Sequence, residues 1–274
     1  MPATLEFIGT ATTLLRLGPH AVLTDPNFLH RGQRAYLGKG LFSKRLTEPS
    51  LQPGRLPQVD AVVLSHLHGD HFDRVAREGL DHDLPILTTP AASDRLHDWG
   101  FGGAHGMRTW ESVPVGAAGA GTGEESTLSV TAVPGEHAPG PLRRVFPPVM
   151  GSVLELRDGG ERPFRVYVTG DTLFRPWLRD VVERCGPLDA MVVHLGGTRA
   201  FGVLVTMDGE QGAELVDLVD PPVTVPVHYD DYTVFRSPLS DFLAACRRRG
   251  LASEIRTVRR GETVSLQPDP HPAA

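Results

Sequence analysis

A basic excess is missing from this chain: 27 lysines and arginines face 33 aspartates and glutamates, a formal charge of −6. Nucleic acid and anionic membrane surfaces attract a basic face, so neither is an expected partner. A local basic pocket for one phosphate is still compatible with that balance. Cysteine is scarce as well. Cys185 and Cys246 are the only two, both in helical-looking stretches and without C-x-x-C spacing. A cysteine zinc site and a disulfide framework are therefore excluded. Both read as core residues in a reducing compartment. No apolar run approaches the ~20 residues that span a bilayer. Residues 1–7 lack the charged and apolar blocks of a signal peptide. The expectation is a cytoplasmic protein without membrane insertion.

What is present is an ordinary globular composition, 40% apolar over 274 residues, enough for a large core without covalent staples. Strands are predicted at 5–8, 12–17 and 21–24, the last two around the turn signal Gly18-Pro19. Residues 31–58 form a long polar loop. A buried strand at 59–65 leads into a helix from His71 to Glu78, closed by Gly79. A strand at 85–88, a helix at 91–99 and paired strands at 111–115 and 128–133 follow. The Ala/Gly stretch 116–123 between those strands reads as an exposed loop tip. The second half repeats the pattern: strands at 151–156, 164–169, 189–195 and 224–227. Helices are expected at 176–185, from Asp208 to Val219 with a capping box to Gln211, and after Ser237-Pro238. The whole reads as one α/β domain over residues 1–266, two sheets face to face with helices outside. Residues 267–274 are expected to fray.

The strongest local signal is S-H-L-H-G-D-H-F-D at residues 65–73. It falls where a buried strand hands over to a helix. His66 and His68 are two apart, so an extended backbone points both to one side. Gly69 allows a turn, and Asp70 and His71 follow at once. Imidazole and carboxylate suit zinc, manganese or iron alike. Three more candidates each follow an apolar strand: His137 in A-V-P-G-E-H, Asp171 in V-Y-V-T-G-D-T, and His228 in V-P-V-H-Y-D-D-Y. Alone, each also fits a turn or an exposed strand end.

Together these residues resemble the metallo-β-lactamase superfamily, in chain order and over nearly the whole length. The resemblance implies a four-layer αββα sandwich with a dinuclear site at one edge. It further implies that His66, His68 and His137 hold one metal, that Asp70, His71 and His228 hold the other, and that Asp171 bridges them. Zinc is the first expectation, manganese or iron the alternatives. Within the superfamily, I-G-T-A-T-T-L-L-R, L-T-D-P, T-G-D-T and V-P-V-H-Y are similar to the branch of ascorbate-6-phosphate lactonase and N-acyl-phosphatidylethanolamine phospholipase D. Thr10 stands where that branch commonly has histidine, and H-L-G-G-T at 194–198 has its own character.

The implied chemistry is hydrolysis of a small ester, lactone or phosphodiester, with Asp70 and Asp171 in catalytic positions. Two cations about 3.5–4 Å apart generate a hydroxide near neutral pH. Thr169, Gly170 and Thr172 would shape the turn that presents Asp171. Asp73 reads either as a partner that orients a ligand histidine or as a solvated carboxylate in a first helical turn. Candidate substrate contacts are Phe146, beside Arg143 and Arg144 in a Pro-rich loop, Arg199, Tyr229 and His194. Each arginine fits a surface position equally, and His194 fits a hydrogen-bonded core site. Two other functions remain in view: an iron-dependent redox enzyme of the same fold, and a catalytically silent metal-binding or ligand-sensing module. The expected partner is a small-molecule substrate, and a homo-oligomer is left open.

Overall fold

The computed structural model describes residues 2–116 and 126–269. Two seven-stranded sheets pack face to face. The first runs, in spatial order, Thr263–Ser265, Ala3–Gly9, Thr12–Leu17, His20–Thr24, Ala61–Val63, Ile86–Thr88 and Ala104–Gly106. The second runs Glu254–Ile255, Val223–Val227, Ala190–His194, Phe164–Val168, Met150–Arg157, Thr127–Pro134 and Ser112–Val115. Each sheet is antiparallel on one side and parallel on the other.

Alternation along the strands builds the layers. Leu15, Val22 and Val63 point into the seam between the sheets and meet Leu128, Leu154, Val192 and Val225 there. Their neighbours Leu14, Leu23 and Val62 point outward, onto Ala76 and Leu96 of helices Arg74–Gly79 and Pro90–Asp98. On the second sheet Tyr167, Met191 and Val193 meet Val181, Val216 and Phe242 of helices Arg179–Cys185, Gly209–Val219 and Leu239–Arg249. A period of two thus buries both faces of both sheets, which is the four-layer αββα arrangement. Among the described residues no helix is long and apolar enough to cross a membrane.

Some local expectations are revised. The first helix begins at Arg74, not His71, because Asp73 is its cap: the carboxylate accepts from Ala76 N at 2.8 Å. The loop at 31–58 contains a small hairpin, Arg34–Tyr36 against Phe42–Lys44. A short strand, Ala104–Gly106, was not anticipated. Asp208 caps its helix through Gln211 N, but the Gln211 side chain accepts from Phe174 N instead of closing a box. Ser237 serves a different helix from the one it precedes, its hydroxyl accepting from Gly209 N at 2.9 Å. Residues 117–123 of the stretch expected as a loop tip lie outside the described residues. At the C-terminal end, Arg256 donates to the Gln267 carbonyl and to Asp269, and residues 270–274 of the stretch expected to fray lie outside the described residues.

Asp73 also accepts from Phe28 N and Leu29 N, both at 2.6 Å. Asp73→Ala removes the cap and strands two buried N–H groups. The expected cost is about 3 kcal/mol, read as a lower urea midpoint with unchanged slope.

Candidate metal centre

The parallel strands of both sheets end at one edge, and the chain turns there. Open α/β sheets place functional groups at such carboxyl ends. Strand Ala61–Val63 leads to His66, His68, Asp70 and His71. Here His71 N and Phe72 N both bond back to His68 O, winding the turn tightly. Strand Phe164–Val168 leads to Asp171 through Gly170, whose φ is +62°. A Cβ at Gly170 would lie 2.7 Å from Met150 O and 2.9 Å from Ser65 Cβ, so only glycine fits. Thr172 fastens the same turn by accepting from Glu136 N at 2.9 Å, next to His137. Strand Val223–Val227 leads to His228, itself at φ +62° and bonded from its N–H to Thr10 O at 2.8 Å.

All seven side chains meet. His66 Nε2 is 3.0 Å from His68 Nδ1, and His137 Nε2 is 3.2 Å from the same atom. His71 Nε2 is 3.3 Å from an Asp171 oxygen, and His228 Nε2 is 3.6 Å from an Asp70 oxygen. Four overlapping groups have ligand atoms within 4.8 Å of one another: His66, His68 and His137; His66, His71 and Asp171; Asp70, His71 and His228; and, behind His71, Asp25, His71 and His194.

The opposite ring nitrogens settle which lone pairs face the cluster. His137 Nδ1 donates to Val205 O at 2.9 Å, and His228 Nδ1 to Leu195 O at 3.1 Å. His66 Nδ1 donates to Ser65 Oγ at 3.0 Å, since that hydroxyl spends its own proton on Asp25 at 2.9 Å. His71 Nδ1 faces Asp25 at 3.4 Å. In each case the bare Nε2 points inward. Oriented this way, imidazoles are ready to bind a metal. His71 Nε2, His228 Nε2 and one oxygen each of Asp70 and Asp171 are buried without a hydrogen-bond partner. Acceptors facing acceptors in a dry interior are costly unless a cation lies between them. The donor set, nitrogen and carboxylate oxygen, fits a divalent metal.

The electrostatics agree. Burial and the neighbouring imidazoles push His66 well below the usual histidine range. Burial and His137 take His68 down to about 3. Burial opposes charge on His71, yet the Asp171 and Asp25 carboxylates raise it well above the usual value. Asp171 stays ionised against its own burial because His228 and His71 lie beside it.

Of the other candidates, one borders the cluster. The Phe146 ring lies 5.0 Å from the His137 ring and 6.1 Å from the His68 ring, centre to centre. Arg199 lies elsewhere, in a groove at the start of helix Gly209–Val219 beside Asp208 and Arg236. It is anchored there to Gly202 O. Tyr229 turns away from the cluster and packs against the core between the second sheet and its helices, where burial and Asp230 push its hydroxyl up to about 12. Asp73 orients no histidine; its oxygens are committed to the cap and to Phe28 and Leu29. The residue in that role is Asp25, at the end of strand His20–Thr24, 3.4 Å from both His71 Nδ1 and His194 Nε2. His194 therefore sits behind His71 as a buried partner of Asp25, not at a substrate surface. The signal for Asp25 lay in L-T-D-P, an acid closing a buried apolar strand.

A model of beta-lactamase superfamily domains matches residues 20–229, a span holding all seven clustered residues. The chain belongs to the beta-lactamase superfamily. This superfamily member is 28% identical over 266 residues to a metal-dependent hydrolase of Deinococcus radiodurans, covering 96% of the chain and 99% of that protein. It is 26% identical to another from Thermus thermophilus, covering 96% and 98%. Among solved structures, a possible metal-dependent hydrolase from Veillonella parvula matches with a TM-score of 0.80 at 20% identity, over 97% of this chain and 100% of that one. An isothiocyanate hydrolase from Delia radicum gut bacteria matches at 0.75 and 18%, over 95% and 98%. These structures share the αββα fold.

Proposed function

We propose that the chain is a metal-dependent hydrolase holding two divalent ions, zinc first, and cleaving a small ester, lactone or phosphodiester. One observation carries the reading: seven metal-competent groups converge, with the outer nitrogens of His66, His137 and His228 tied by hydrogen bonds and that of His71 facing Asp25, while His71 Nε2, His228 Nε2 and one oxygen each of Asp70 and Asp171 lie buried without a partner. His66, His68 and His137 would hold one ion, Asp70, His71 and His228 the second, and Asp171 both. Bound there, a pair of divalent ions supplies an activated water and polarises the bond to be cleaved. Asp70, with one oxygen free, accepts a hydrogen from the attacking water and orients it. Asp171 keeps His71 and His228 in register. Phe146 excludes bulk water from the His68–His137 side. The names of the relatives in Deinococcus and Thermus support hydrolysis.

The test is a substrate panel on metal-loaded protein: 4-nitrophenyl acetate, a γ-lactone, bis(4-nitrophenyl) phosphate and an aryl isothiocyanate, with oxygen consumption followed in parallel. The expected result is turnover of at least one oxygen ester, lost on chelation and restored by zinc or manganese. Oxygen uptake instead would establish the iron-dependent redox alternative. Full metal occupancy without turnover would establish the silent metal-binding module.

A further inference from the structure

Six of the seven clustered side chains are buried, and His68 alone is partly exposed. Its Nδ1 faces the cluster, so its Nε2 faces outward, towards the hairpin of residues 34–44. A Cβ at Gly38 would lie 3.9 Å from that nitrogen. The hairpin is tied to the ligand loop by Gly69 N donating to Tyr36 O at 2.9 Å. Between hairpin and loop lies a cavity of about 350 Å³ that reaches His68.

The cavity is two-faced. Its floor is apolar, with Leu29 and Phe72 buried and Trp99 stacked on Phe72 at 6.2 Å. Its outer wall is Phe42, 60% exposed and paired with the Tyr36 ring at 5.1 Å. Large apolar side chains this exposed mark binding surfaces when they border a cavity. The rim carries Arg34, Arg74 and Arg77. Arg77 rests over the Trp99 ring at 4.7 Å. Arg34 and Arg74 are exposed, and neither pairs with a carboxylate among the described residues. The one acid in the lining, Asp73, has its oxygens occupied by three backbone N–H groups. A chain of charge −6 thus presents a locally basic rim beside its candidate active site.

We propose that this cavity recognises the remote part of the substrate: a small molecule with an aryl or short alkyl body and an anionic end group. The apolar body lies on Trp99, Phe72 and Phe42, and the anion pairs with Arg34 and Arg74. This rests on the hydrolase reading, with the scissile bond reaching past His68 to the cluster. Arginine suits carboxylate and phosphate alike, so the end group is left as an oxyanion, and the test carries both forms.

The test is isothermal titration of metal-loaded protein with 4-phenylbutyrate, 3-phenylpropyl phosphate and the neutral 4-phenylbutan-1-ol. Arg74→Glu and Arg34→Glu should each raise the Kd of the two anions about tenfold, leaving the alcohol within about twofold. Trp99→Ala should weaken all three. Arg34 and Arg74 are exposed, and glutamate suits the first helical turn at position 74, so both charge variants should fold. Anion affinity unchanged in both arginine variants, or no binding by wild type, would overturn the proposal. Arginine-dependent binding in a protein that turns over no substrate would leave the cavity standing and refute the hydrolase reading alone.

Discussion

Asp171→Ala is expected to lower kcat/KM by at least about a thousandfold and to release metal. The side chain is buried, its oxygens are 3.3 Å from His71 Nε2 and 3.4 Å from His228 Nδ1, and it belongs with His66 and His71 to one of the candidate ligand groups. No other carboxylate lies on both sides of His71 in its place: Asp25 occupies the outer nitrogen and Asp70 faces His228. Alanine therefore leaves His71 and His228 without the group that keeps them in register, and nothing nearby can move in. Steady-state kinetics with metal analysis of the same samples check this. His97→Ala, on an exposed helix position, should stay within about twofold of wild type and serves as the control. Retained turnover in Asp171→Ala would count against a shared role for this carboxylate.

The second large effect belongs to Asp25, which touches none of the reacting groups in the proposal. Its Oδ1 accepts from Ser65 N at 2.8 Å and Ser65 Oγ at 2.9 Å, and its Oδ2 faces His71 and His194 at 3.4 Å. It thus sets the tautomer of His71 directly and that of His66 through the serine. Burial opposes its ionisation, but His71 and His194 hold it below the usual carboxylate range. Asp25→Asn keeps the shape and turns a donor towards His71 Nδ1, so metal affinity should fall about 10- to 100-fold. A competition titration with a zinc indicator reads the affinity. Because the residue acts by positioning, saturating zinc should recover much of the kcat in Asp25→Asn but none in Asp171→Ala. Equal behaviour of the two variants would remove the distinction.

Much of the fold was legible because its strands are short, apolar and closed by turn residues. The turn signal Gly18-Pro19 marks the hairpin of 12–17 and 21–24, the continuous run at 59–65 marks a buried strand, and Gly79 closes its helix as expected. Residues whose role depends on a distant partner were not legible. Ser237 looks like a cap for the helix it precedes, and only tertiary contact gives it to Gly209. Asp73 stands in the motif as if it served a histidine, yet it caps a helix and holds Phe28 and Leu29. Asp25 looks like a strand terminator, and its histidine partners lie 46 or more residues further along the chain. The hairpin at 34–44 has too few apolar residues to show a period; Gly69 and Thr233 hold it instead. His66, His68, Asp70 and His71 stood out by their spacing after a buried strand, whereas His137, Asp171 and His228 joined them only through the resemblance to the metallo-β-lactamase superfamily.

The most direct test of that convergence is the metal content of the protein, purified without chelator, incubated with zinc and desalted, measured by plasma mass spectrometry beside His66→Ala. About two equivalents per chain are expected for wild type, and about one or fewer for the variant. A wild-type protein that retains no zinc, or a His66→Ala protein that retains the full complement, would contradict the account.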